Sequence, residues 1–135
     1  MKNSNVINIV LFISGLIAAS IGGAILFNPA AFYATNGIEL GGDVSLLNEI
    51  RASGGALLIA GMLITSGCFM QSLKFTAVVV SALLYLSYGL SRVLSFVVDG
   101  MPSDGLVQAA GLEIIIGVVC AWVLVSYHKG VSEAD

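Results

Sequence analysis

Residues 6–27 read VINIVLFISGLIAASIGGAILF, 22 consecutive positions without a charged side chain. A helix of about 20 apolar residues crosses a hydrocarbon core about 30 Å thick, so this one segment is long enough to span a bilayer. Lys2 ahead of it and Ala18, Ala19 and Ser20 within it match the layout of a signal peptide. The apolar run continues to Phe27, past the roughly 7–15-residue core of such signals, and the segment is expected to be retained. Three further stretches follow the same pattern. Residues 50–70 hold only Arg51, residues 75–98 only Arg92 and residues 106–127 only Glu113. Charged residues make up 10% of the chain, against about 25% in ordinary soluble domains. That is too few to coat a soluble globule, and disorder would need more charge and less hydrophobicity. The expected fold is all-α: a four-helix integral membrane bundle forming one domain over residues 1–135.

The connections separate charge by sign. Lys2, Lys74 and Lys129 flank the N-terminus, the expected 71–74 turn and the C-terminus, whereas the other two connections carry Glu39, Asp43, Asp99 and Asp104 and no basic residue. Basic residues mark the cytoplasmic side, so both termini are expected there. The first connection, residues 28–48, is long for a helical bundle. It holds Asn28-Pro29, a short helical turn expected over 29–33, and turn signals at Asn36-Gly37 and Gly41-Gly42. Five Lys and Arg residues, none adjacent, exclude a nucleic-acid partner. Cys68 and Cys120 fall in apolar runs and read as packing residues rather than as a disulfide or a metal pair. His128 reads as a boundary residue beside Lys129.

Ionisable side chains inside a membrane are costly and normally face protein or water. Arg92 lies six residues before Val98 and Glu113 seven after Leu106, which puts both about 10 Å below the outer boundary. Equal depth on consecutive antiparallel helices points to an Arg92–Glu113 ion pair. Helical phase aligns Ser81, Tyr85, Tyr88, Arg92, Ser95 and Asp99 as a polar stripe on the third span. Gly15, Ala19 and Gly23 on the first span, and Gly117 and Ala121 on the fourth, have the spacing that lets helices approach closely. Glu49 shares a face with Ala52, Ser53, Ala56 and Ala60 and is expected to look into the bundle. Arg51 points the other way, toward headgroups. The candidate cluster is therefore Glu49, Arg51, Tyr85, Tyr88, Arg92, Asp99 and Glu113, read either as a ligand site or as a buried structural pair with its surroundings.

The order Asn28-Pro29, then NEIRASGG at 48–55, Ser91-Arg92, DGMP at 99–102 and Glu113 resembles a bacterial domain-of-unknown-function family of four-span membrane proteins, loosely DoxX-like. The resemblance covers Asn28 to about Gly117. It implies a four-helix protein of the bacterial inner membrane. The DoxX-like group includes small subunits near quinone-linked redox enzymes.

No phosphate loop, metal-ligand spacing or nucleophile triad is present in the sequence. The leading expectation is a non-enzymatic module that binds a lipid, a quinone or another amphipathic molecule in an outer-half pocket under the long connection. It would act alone, as a homo-oligomer or within a larger membrane complex. A structural or partner-binding subunit, a small proton-coupled transporter and an enzyme using Glu113 or Tyr88 are the competing readings.

Overall fold

The structure is a computed structural model that describes residues 2–132, with side chains from 4 to 127. The expectations placed on Lys2, His128 and Lys129 side chains lie outside the described residues. Five helices follow in order: α1 (Lys2–Phe27), α2 (Pro29–Ala34), α3 (Val44–Ser66), α4 (Gln71–Val98) and α5 (Asp104–Ser132). Among the described residues, Ser4–Phe27, Val44–Ser66, Gln71–Val98 and Asp104–Tyr127 are long and apolar enough to cross a membrane. The end of the bundle where α1 and α4 finish and α3 and α5 begin is called the upper end below.

Local chemistry sets the helix boundaries. Asn28 caps α2, its side chain accepting from the Ala31 N–H, with Pro29 at the first helical position. Asp43 caps α3, accepting from the Ser45 and Leu46 N–H groups at 2.9 and 3.2 Å. This cap starts α3 at Val44, six residues before the expected Ile50, and shortens the long connection accordingly. The lower turn is also displaced: it occupies residues 67–70, and α4 already begins at Gln71. Lys74 is thus a helical residue, and a buried one, rather than part of an exposed turn. The aliphatic stem of lysine suits such a position at a helix end. Gly37 (φ 73°) and Gly100 (φ 97°) take the left-handed conformation that their turns require.

Packing is uneven around the bundle. α1 lies closely along α3 and α4 along α5, while the two pairs touch each other less. The first pair is joined backbone to backbone. A Cβ on Gly61 would fall 2.7 Å from the Ala19 Cα, and one on Gly54 2.8 Å from the Leu26 nitrogen. Gly15 and Gly22 are equally enclosed, whereas Gly23 meets nothing within 4 Å. The small-residue seam on α1 therefore runs Gly15–Ala19–Gly22, not through Gly23 as expected. Such close approach suits membrane helices, whose association rests on contact rather than on a hydrophobic force.

Below mid-height, Leu11, Ile64, Val78 and Val123, each at most 1% exposed, come together from all four long helices as an apolar layer. Just above this layer, the Tyr85 hydroxyl donates to the Ser14 carbonyl at 2.5 Å. Ser14, Ser81 and Cys120 are buried around the same level. Both cysteines are free. The Cys68 thiol donates to the Asn8 carbonyl.

Candidate functional site

At the upper end the two helix pairs diverge and leave a cavity of about 330 Å³. Its walls are Ile17, Ile21 and Ile25 of α1, Leu57 of α3, and Leu84 and Ile116 of α4 and α5. Tyr85 lies toward the bottom, with its hydroxyl committed to Ser14. Above, α2 and its following turn bring Phe32, Tyr33 and Asn36 over the space. The Phe32 and Tyr33 rings meet edge to face at 5.6 Å. The Asn36 side chain rests where a Cβ on Gly105 would be, in the first turn of α5, so the connection bridges from α1 to α5.

The cavity's charged groups form one pair. Arg92 Nε donates to Glu113 Oε2 at 2.7 Å, and Arg92 Nη2 to Glu113 Oε1 at 3.1 Å. This is a two-point guanidinium–carboxylate contact of the geometrically specific kind. It is the one ion pair among the described residues, with side chains 30% and 18% exposed. Guanidinium offers five N–H donors. Glu113 takes two, which leaves three free of this contact. Tyr88, one turn below Arg92 on α4, lines the same space and makes no hydrogen bond through its hydroxyl among the described residues.

Four of the seven residues singled out in the sequence meet here: Tyr85, Tyr88, Arg92 and Glu113. The other three do not. Asp99 is exposed at the end of α4, where its carboxylate accepts from Ser95 Oγ at 2.9 Å. Glu49 is exposed, as are Ala52, Ser53 and Ala56, and of these four Ser53 alone lines the cavity. Arg51, also exposed, reaches across to α1, its Nη1 donating to the Leu26 carbonyl at the C-terminal end of that helix. Glu49 thus does not look into the bundle, and Arg51, exposed at the boundary, is held against the end of α1 rather than pointing away from it. α3 buries Gly54, Leu57, Gly61 and Ile64, and Arg51 lies one turn above Gly54 at the edge of that stripe, exposed but within reach of α1. Glycine admits the α1 backbone closer than alanine does, so the glycine face, not the alanine face, meets α1. The Arg51 cation there answers the unpaired carbonyls and negative end of the α1 dipole.

A second depression, about 450 Å³, runs along Asn8, Phe12 and Phe69 near the lower end. It is an open apolar groove with no charged residue along it and offers no comparable chemistry. No group of three or more His, Cys, Asp or Glu among the described residues is placed to hold a metal ion.

A family profile described as "Domain of unknown function (DUF4345)" matches residues 6–124. The chain belongs to the DUF4345 family. No curated protein and no solved structure matches it. The matched DUF4345 segment begins near the start of α1 and ends in α5, so it includes both helix pairs, the cavity and the Arg92–Glu113 pair.

Proposed function

We propose that this protein is a non-enzymatic module of the bacterial inner membrane that reversibly binds an amphipathic small molecule, of lipid or quinone type, in the upper cavity. The observation that carries this reading is the cavity itself: apolar walls with one polar constellation, Tyr88 and the Arg92–Glu113 pair, at one side. Its volume lies at the low end of the roughly 300–1,000 Å³ usual for small-molecule sites. Apolar lining residues of α1 and α5 reach the surface of the bundle. These helices touch lower down through Ile7, Leu11 and Val123, and on the cavity's rim Ile21 and Leu112 remain 36% and 61% exposed. An apolar rim opening sideways suits a ligand arriving from the acyl chains. The apolar layer beneath argues for binding over conduction, because it leaves no polar route to the lower end.

Filling the space tests the reading. Ala109 lines the cavity, and Ala109→Phe should abolish an amphiphile that co-purifies with the wild-type protein while leaving thermal stability within about 1 kcal/mol. Native mass spectrometry after gentle extraction reads the occupancy, and thermal unfolding in detergent reads the stability. Equal ligand occupancy in wild type and variant would remove the cavity from consideration.

Orientation is part of the proposal. With the basic residues on the cytoplasmic side, the cavity belongs to the outer half of the membrane. In a variant lacking Cys68 and Cys120, a cysteine at Ser45 should react with impermeant maleimide from outside, and one at Ser4 only after the membrane is opened. The opposite pattern would turn the molecule over.

A further inference from the structure

We infer that the cavity selects amphiphiles whose head is uncharged and accepts hydrogen bonds, and discriminates against ionised heads on the same chain. This rests on the reading of the cavity as a binding site and adds the class of head it takes. Two independent features carry it.

The first is the charge balance of the lining. Arg92 and Glu113 are its ionised groups, one of each sign, and they already neutralise each other through two hydrogen bonds. A third charge brought into this apolar space would find no free counter-ion and would lose its water. An anion drawn to the guanidinium must also sit beside the Glu113 carboxylate. A cation drawn to Glu113 must sit beside Arg92. An ester, ketone or hydroxyl oxygen meets neither penalty. It takes up guanidinium N–H donors that Glu113 leaves unused, and the Tyr88 hydroxyl supplies a further donor.

The second feature is the charge of the upper end. Glu39, Asp43, Glu49, Asp99 and Asp104 are all exposed at the upper end, with Arg51 as the sole exposed cation there. Five carboxylates against one guanidinium give that end a negative field, which acts over about a Debye length of 8–10 Å. An anionic head moving toward that end meets this repulsion as well as the Glu113 carboxylate. A cationic head is attracted to the same end, but it meets the Arg92 guanidinium in the cavity.

Three amphiphiles with the same oleoyl chain separate these cases: monoolein (neutral ester and hydroxyls), oleate (anion) and oleylamine (cation). Each is added to the full-length, detergent-solubilised protein at neutral pH, and occupancy is read by native mass spectrometry. The wild-type protein should retain monoolein roughly tenfold better than either ion, a difference of about 1.4 kcal/mol. Glu113→Gln leaves Arg92 unneutralised and should shift the oleate-to-monoolein ratio toward oleate by a similar factor. Arg92→Gln leaves Glu113 unneutralised and should shift the oleylamine-to-monoolein ratio toward oleylamine. Wild-type protein that holds oleate or oleylamine as well as monoolein overturns the inference while leaving the cavity a binding site, as does a preference unmoved by either variant. Wild-type protein that holds none of the three overturns both this inference and the binding reading. If a variant does not fold, the wild-type comparison alone decides.

Discussion

Gly61→Ala is expected to destabilise the protein by roughly 1–3 kcal/mol, the usual cost of forcing atoms into a filled site, or more. Alanine is the better helix former by about 1 kcal/mol, so any loss must come from contact. The new Cβ would stand 2.7 Å from the Ala19 Cα and 2.7 Å from the Gly15 carbonyl oxygen. These are backbone atoms and cannot rotate aside. The whole of α1 must back away from α3, and contacts along the pair weaken together. Gly111→Ala is the matched control, because a Cβ there meets nothing within 4 Å and should leave stability unchanged or raised. Thermal unfolding in one detergent compares the two. Equal behaviour of the two variants would mean that the α1–α3 seam does not hold the fold.

The second large effect is expected at the ion pair. Breaking a fully buried pair by removing one partner costs about 3–5 kcal/mol. The figure here should be lower, since the Arg92 side chain is 30% exposed. The two losses should differ. A carboxyl left alone can be neutralised by taking up a proton, whereas a guanidinium cannot lose one in a protein. Glu113→Gln should therefore cost more than Arg92→Gln. Changing both residues to Gln should recover much of the loss, because no lone charge remains. A double-mutant cycle on unfolding measures the coupling directly, and simple addition of the two single losses would show that the residues do not support each other. Reading ligand occupancy in the double variant separates scaffold from site: restored stability with lost binding assigns the pair to recognition.

The pair was legible because depth and phase are both fixed by helical rise and rotation. Arg92 and Glu113 stand at matching distances from a short turn, and only antiparallel helices joined there bring them level. The same regularity revealed Tyr85 and Tyr88. The start of α3 was obscured because Asn48, Glu49 and Arg51 lower the hydropathy that marks a span. The signal present, Asp43 ahead of Val44-Ser45-Leu46, is a cap whose force depends on two backbone N–H bonds. The orientation of Glu49 and Arg51 turned on which small-residue face of α3 meets α1. Alanine and glycine stripes look alike in spacing, and only the closeness of the backbones decides between them. The choice of Gly22 over Gly23 has the same origin. The cavity's covering residues, Phe32, Tyr33 and Asn36, depend on how the connection folds back over the bundle, which no periodicity records.

The two helix pairs differ in what obstructs a change of sequence. At Gly54 and Gly61 the neighbours include backbone atoms. In the other pair, a Cβ on Gly89 would meet the Ile114 Cγ1 at 2.6 Å, and one on Gly117 the Leu86 Cδ2 at 2.9 Å. Those closest atoms are side-chain atoms, which a different residue at 86 or 114 would move, leaving the Leu86 and Ile114 nitrogens at 3.0 and 3.2 Å, a milder obstruction than at Gly54 and Gly61. Tyr88 and the Arg92–Glu113 pair stand on this second pair. An engineer seeking a receptor for another amphiphile therefore has a natural division of labour: α1 and α3 serve as a fixed chassis, and α4 and α5 as an editable face on which pocket size and head chemistry can be rewritten together.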